Sequence, residues 1–308
     1  MKGFEIFILI VLFIALTAGA FILIENFPGQ SQRFEAKSSV PEMTGKTYLN
    51  GTQFYTNMRY PDKIISFSIS ENCNENKIRN AEESFSILSR DTMLKFNELS
   101  FDGEIQILCS NISVEQADKS HFVAGEGGPK DIYVSGPYHV ITTGRVSLYR
   151  NERCNEPKIA LHEILHALGF DHNENPRSIM YPVTSCNEIL DDYIIDEINR
   201  LYTIKSSPDL VITSANAEKS NKYVSFEVEV SNYGFKDSNS VNLSVYAENK
   251  LIKDFNLENI PFGNKKKITV SNLVVPRSTQ EIEFITYSTV SDDEISLDNN
   301  KIVLGLAG

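Results

Sequence analysis

Basic residues are scarce in this sequence relative to acidic ones. The chain has 29 Lys and Arg against 41 Asp and Glu, which gives a formal net charge of -12 and a pI near 5.0. A protein that neutralises nucleic-acid phosphates needs clustered basic side chains. The charge balance therefore excludes nucleic-acid binding as the main function.

Cysteine is also sparse, with four in the chain: Cys73, Cys109, Cys154 and Cys186. No two of them have the C-x-x-C spacing of a zinc ribbon, which excludes that kind of structural site. An even number of well-separated cysteines suits two disulfides, and three pairings are possible. Because disulfides form in oxidising compartments, we expect the chain after residue 25 to lie outside the cytoplasm.

Charge is absent from one long stretch, Ile6 to Ile24, in which nineteen mostly bulky apolar residues follow one another. About 20 apolar residues span the hydrocarbon of a bilayer as a helix. Residues 4–24 are therefore predicted to form an N-terminal transmembrane helix that anchors the chain, with the catalytic part outside the cytoplasm. A cleaved signal peptide followed by secretion is the competing interpretation, because residues 17–20 include small side chains suited to cleavage.

The remaining sequence divides into three parts, and 308 residues are enough for two folded domains. Residues 25–60 are rich in Gly, Ser, Gln, Pro and Thr without sustained periodicity, which predicts a flexible tether. Residues 61–204 combine strand patterns with three helix patterns, which indicates an α+β domain. Residues 208–304 have only short strand patterns separated by turn residues, which is typical of an all-β sandwich.

Three of the five histidines fall within eleven residues, in the sequence His162-Glu163-Ile-Leu-His166-Ala-Leu-Gly169-Phe-Asp-His172. His162 and His166 are four apart, so on a helix their imidazoles lie on one face and can share a cation. Gly169 allows a positive φ at the helix end, so the chain can turn and bring His172 back as a third ligand. Three protein ligands leave an open position for water, which is the arrangement of a catalytic zinc site.

Glu163 stands beside the predicted ligands and is the candidate general base. A zinc ion held by neutral imidazoles acidifies its bound water, and Glu163 is expected to take the proton and pass it to the leaving amine. The structural alternative, a helix that merely carries surface histidines, becomes improbable once Gly169 and His172 extend the short His-Glu-x-x-His motif. Met180 follows eight residues after His172, where an apolar turn could support the imidazoles from below.

From these residues, positions 61–204 resemble the catalytic domain of the metzincin zinc proteases, most closely that of the matrixins. The resemblance implies a mixed twisted sheet with a zinc-binding helix, one catalytic zinc, and Met180 in the Met-turn. It also implies that the strand near Asp131 to Val134 forms the upper rim of the cleft and pairs with an extended peptide substrate. Pro182-Val183-Thr184 departs from the matrixin Pro-x-Tyr, which leaves the specificity pocket undefined.

Two further expectations depend on the same resemblance. Cys73 is predicted to pair with Cys109 at the ends of neighbouring strands, and Cys154 with Cys186 around the zinc helix and the Met-turn. Additional calcium or structural zinc, which matrixins can hold, is unsupported here because His121 and His139 lack the accompanying acidic pattern. No cysteine precedes Cys73, so the cysteine that blocks zinc in matrixin zymogens has no counterpart.

Residues 208–304 resemble the cell-adhesion-related CARDB domain, an Ig-like sandwich whose ligand the fold does not assign. The resemblance depends on Pro208-Asp209-Leu210-Val211, on Asn232-Tyr233-Gly234 after a strand, and on Leu297-Asp298-Asn299-Asn300. Together the two domains predict a zinc-dependent endopeptidase acting on proteins outside the cytoplasm. The alternatives are a cell-surface adhesion protein with a vestigial protease domain and a hydrolase of non-peptide amides.

Overall fold

The computed structural model describes residues 10–21, 32–37, 53–110, 124–289 and 294–306. Residues 10–21 form helix α1. The other helices are α2 (Glu75–Asp91), α3 (Lys158–Ala167) and α4 (Asp192–Tyr202). The strands are β1 (Gln32–Lys37), β2 (Met58–Arg59), β3 (Ile64–Ile69), β4 (Lys95–Glu98), β5 (Ile105–Cys109), β6 (Gly125–Ser135), β7 (Tyr138–Leu148), β8 (Leu210–Ser220), β9 (Tyr223–Asn232), β10 (Val241–Ala247), β11 (Lys250–Glu258), β12 (Lys265–Val274), β13 (Glu281–Ser288) and β14 (Lys301–Gly305).

The N-terminal domain is built on a six-stranded mixed sheet. Its main order is β2-β7-β5-β3-β4, with these strands parallel, and β6 pairs antiparallel with β7. The side chains of α2, α3 and α4 share one hydrophobic core with this sheet. No second strand pairs with β6 among the residues that the structure describes, so β6 is an edge strand. The predicted α+β domain with a mixed sheet is confirmed.

The C-terminal domain is a sandwich of two antiparallel four-stranded sheets, β1-β8-β9-β12 and β11-β10-β13-β14. Alternate residues of β8 and β9 are buried, as expected when one face of each sheet covers the other. The predicted all-β domain is therefore confirmed.

The stretch predicted to be a tether is partly folded. β1 pairs with β8 over its full length, from Gln32 opposite Lys219 to Lys37 opposite Ser214. Phe34 and Ala36 of β1 pack against the sandwich core. Met58 and Tyr60 are fully buried in the N-terminal domain, so that domain begins before residue 61. The N-terminal domain is consequently inserted between two paired strands of the sandwich.

The predicted transmembrane helix over residues 4–24 is not found. Within the predicted span the structure describes residues 10–21, which are helical. No helix in the described parts of the chain has the length and hydropathy of a membrane span. The flanking residues of the predicted span lie outside the described ranges.

Candidate metal centre and active site

Helix α3 places His162 and His166 one turn apart on the same face, as the spacing predicts. The helix ends at Ala167, and Gly169 follows with φ +97°, a conformation that favours glycine. A Cβ at Gly169 would lie 2.7 Å from Met58 Sδ, so the turn also needs glycine for space. The chain then reverses direction and brings His172 beside the two helical histidines.

The three histidines converge on one point. Their Nε2 atoms are separated by 3.0 Å (His162 to His166), 3.1 Å (His166 to His172) and 3.2 Å (His162 to His172). Zinc–nitrogen bonds of about 2.0–2.1 Å at tetrahedral angles place ligand nitrogens about 3.3 Å apart. Among the described residues no other group of His, Cys, Asp or Glu side chains could hold a metal ion. The donor set therefore fits one zinc ion.

Backbone carbonyl groups fix the orientation of two of the rings. His162 Nδ1 donates to Ile179 O at 2.6 Å, and His166 Nδ1 donates to Phe170 O at 2.7 Å. A carbonyl can only accept, so Nδ1 carries the proton and Nε2 presents its lone pair to the metal position. Burial is the main reason why the pKa of each ring is lowered to about 4, and the imidazoles are therefore neutral near pH 7.

Burial also lowers the pKa of His172, the most accessible of the three rings. His172 N donates to Asp171 Oδ1 at 2.7 Å, which holds the backbone after the turn. All three predicted ligands are therefore brought together with the lone pairs of neutral rings directed at one another. Converging lone pairs repel unless a cation lies between them, which is the physical case for a metal here.

The turn containing Met180 lies under the histidines and is tied to them. Met180 is fully buried, and its carbonyl accepts from Asn173 N at 2.9 Å, one residue after His172. Ser178 Oγ accepts from Met180 N at 3.0 Å and donates to Asp191 at the start of α4. The predicted Met-turn is thus hydrogen-bonded to the residue that follows His172 and to Asp191 at the start of α4. It also contains Ile179, whose carbonyl group accepts from His162.

Glu163 lies beside the histidines, with 7% of its surface exposed. Burial and, to a smaller extent, the negative charge of Glu126 raise the pKa of its carboxyl group to about 8. Among the described residues, no basic side chain contributes to this pKa, so none offsets the burial of the carboxylate. A carboxyl group in this state exchanges a proton readily near neutral pH, as general acid–base catalysis requires.

The edge strand β6 lies against α3 at Glu163. A Cβ at Gly127 would lie 2.0 Å from the backbone oxygen of Glu163, and a Cβ at Gly125 would lie 2.7 Å from its Cγ. Both positions therefore require glycine. Tyr149 N donates to Ala124 O at 3.0 Å, so Ala124 is hydrogen-bonded to the neighbouring strand. Residues along an antiparallel strand alternate between positions that hydrogen-bond to this neighbour and positions that do not. The N–H and C=O groups of Gly125 and Gly127 therefore face away from β7.

Three parts of this site were not predicted from the sequence. Gly125 and Gly127 were assigned no role from the sequence. Phe54 stacks on the His166 ring with a centroid distance of 5.7 Å, and its backbone N donates to Gly169 O at 3.0 Å. The signal available was the run Gly125-Glu126-Gly127-Gly128 within a strand pattern, which marks a close backbone approach.

The structure contains the predicted disulfides, Cys73–Cys109 and Cys154–Cys186. The second joins the segment before α3 to the segment after the Met-turn. His139 lies in β7, and its Nδ1 donates to Thr56 O at 2.9 Å. His121 lies outside the described residues.

Comparison with protein families assigns both domains. Residues 59–203 match the matrixin family of peptidases. This region is a matrixin domain. Residues 207–301 match the CARDB family. The family match supports a metallopeptidase in general.

The solved structures similar to this chain include CARDB domains. One, from Pyrococcus furiosus and in complex with di-metal ions, is 20% identical and covers 33% of this chain and 88% of that one, with a TM-score of 0.28. Another, described as part of a cell surface protein of Methanosarcina acetivorans, is 17% identical and covers 33% and 93%, also with a TM-score of 0.28. Comparison with curated proteins gave no match. The assignment of the CARDB domain rests on the family match.

Proposed function

We propose that this protein is a zinc-dependent endopeptidase that hydrolyses extended segments of proteins outside the cytoplasm. The observation that carries the proposal is the convergence of three Nε2 atoms within 3.0–3.2 Å, with Glu163 on the same helix and a free strand edge beside it. His162, His166 and His172 would hold the ion. When bound, zinc supplies a Lewis acid that acidifies water and polarises a carbonyl group.

Glu163 would act as the general base and then as the general acid. Its carboxylate takes a proton as water attacks the peptide carbonyl, and it returns that proton to the departing amine nitrogen. Glu163 is the only acidic side chain on helix α3, which also carries two of the three histidines.

The free edge of β6 would bind the substrate backbone. The outward N–H and C=O groups of Gly125 and Gly127 can pair with an extended peptide by strand addition, which uses main-chain hydrogen bonds and tolerates many sequences. A folded domain offers few unpaired strands. We therefore infer that unfolded or loop segments are the preferred substrates.

Two disulfides among the described residues support a location outside the cytoplasm, because reducing compartments do not maintain structural disulfides. The site of action would then be the cell exterior or an oxidising compartment. This inference concerns the folded domains and does not depend on how the N-terminus is processed.

The test is cleavage of unfolded casein by the full chain, before and after zinc removal with a chelator and after zinc is restored. We expect cleavage that is lost with the metal and regained with it. A protein that binds zinc but leaves casein and a random peptide library intact would instead favour a binding role for both domains. A protein that binds no zinc would contradict the proposal outright.

A further inference from the structure

The rim strand β6 is fixed at its near end and needs support at its far end. Gly125 and Gly127 hold the near end against α3. Register shifts interrupt its pairing with β7 between Pro129 and Asp131 and again between Asp131 and Ile132. Such irregularities bend a strand and weaken its pairing locally. The outer half, Asp131–Ser135, would therefore be free to move relative to the metal centre if β7 alone held it.

The tip of the β6–β7 hairpin is buried against the CARDB domain. Ser135 is fully buried, and its Oγ donates to Gly234 O at 2.7 Å. Gly136 adopts φ +56°, and a Cβ there would lie 2.6 Å from the ring of Tyr233. Behind the tip, a Cβ at Gly263 would lie 2.9 Å from Val134 O. The CARDB domain thus encloses the tip on more than one side.

An aromatic layer continues this contact into the matrixin domain. Tyr138 meets Phe235 of the CARDB domain edge to face, with a centroid distance of 4.7 Å. The buried guanidinium group of Arg59 lies between the rings of Tyr202 and Phe235, 4.4 Å and 4.0 Å from their centroids. Arg59 also donates to Leu201 O and, at 3.0 Å, to the carbonyl of residue 204 in the interdomain linker. Phe235 is therefore the centre of a layer that joins hairpin, helix α4 and sandwich.

The geometry points to the CARDB domain as a positioning part of the protease, which clamps the hairpin tip and so fixes the outer half of β6 for binding long extended substrates. This inference rests on the proposed function. Phe235 is a positioning residue in this account, because it acts on the substrate through β6 and touches no reacting atom.

Peptide substrates of different lengths would pair with different parts of β6. From Gly127 to Tyr133 the strand advances six residues, or about 20 Å at roughly 3.3 Å per residue. A peptide of about six residues at the metal centre would pair only with the near half. A peptide of about fourteen residues would also reach the outer half, where Ile132, Tyr133 and Val134 expose apolar side chains. Apolar side chains on a strand edge favour pairing with another extended chain.

The experiment compares kcat and KM for matched peptides of six and fourteen residues with the same scissile bond. The full-length wild-type protein should bind the longer peptide more tightly. In Phe235→Ala we expect KM for the longer peptide to rise about tenfold, which corresponds to roughly 1.4 kcal/mol. The values for the short peptide, and kcat for both, should stay within about twofold of wild type, because the near half of β6 keeps its contacts with α3.

Matched variants separate positioning from damage to the fold. Phe255→Ala removes another aromatic side chain that packs on the sandwich core, away from the hairpin, and should leave the length preference intact. Phe235→Leu keeps an apolar side chain at the contact, so it should retain part of the preference for the longer peptide. If Phe235→Ala does not fold, Phe262→Ala gives a milder test, because half-buried Phe262 meets Tyr133 at a centroid distance of 6.1 Å.

The outcomes distinguish this inference from the proposed function. An equal loss of kcat/KM for the short and the long peptide in Phe235→Ala would overturn the positioning role while leaving the protease intact. An unchanged length preference in both interface variants would do the same. A wild-type protein that prefers neither length would also overturn it. Absence of cleavage by zinc-loaded wild type would instead count against the proposed function itself.

Discussion

Replacing Gly127 by alanine tests how closely the rim strand must approach the zinc helix. The added Cβ would lie 2.0 Å from the backbone oxygen of Glu163, whereas ordinary contacts begin near 3.4 Å. Strand and helix must therefore separate by more than about 1 Å, since the opposing atom belongs to a helical backbone that cannot rotate away. A misplacement of this size costs about a hundredfold in rate when reacting groups are held for catalysis.

The neighbouring glycine provides a matched control. A Cβ at Gly128 would meet nothing within 4 Å, so Gly128→Ala changes the same strand by the same group without a clash. We expect Gly127→Ala to lose about a hundredfold in kcat/KM for an unfolded substrate while binding one zinc. Gly128→Ala should stay within about threefold of wild type. Equal activity of the two variants would refute the inference that the contact with Glu163 positions the rim.

Two further predictions concern stability. Replacing Cys154 and Cys186 by serine opens a loop with a sequence separation of 32. This change should lower the free energy of unfolding, measured by denaturant titration, by about 3–4 kcal/mol. An unchanged free energy of unfolding would mean that the disulfide does not restrain the unfolded chain. Burial raises the pKa of Glu188 from 4.5 to about 7, so this carboxyl group destabilises the fold progressively as pH rises from 4.5 towards 7. Glu188→Gln should therefore gain about 1–3 kcal/mol over wild type across that window, and a difference that stays constant with pH would contradict the assignment.

The convergence of the three histidines was predictable because the residues that produce it are close together in the sequence. Two histidines one helical turn apart, a glycine at the helix end and a third histidine three residues later place three donors within a short piece of chain. The disulfide partners were predicted from the resemblance to matrixins, because the cysteines alone left three pairings possible. The structure brings each of these residues to its expected partner.

The remaining features depend on contacts between distant parts of the sequence. β1 offers only Phe34 and Ala36 as an alternating apolar signal, too short to distinguish from the polar segment around it. Its place beside β8 depends on residues 170 or more positions away. The need for glycine at positions 125 and 127 likewise arises from α3, which crosses the strand only in the folded domain. The burial of Arg59 could not be predicted from the sequence, because its charge indicates an exposed side chain.

The most direct test of the central claim is a comparison of wild type with Glu163→Gln, in which zinc content and cleavage of an unfolded protein are measured on the same preparations. The account predicts about one zinc per chain in both proteins, with cleavage reduced by about a hundredfold or more only in the variant, because the carboxylate moves protons and is not a ligand. Equal cleavage by the two proteins, or a wild-type protein without zinc, would contradict it.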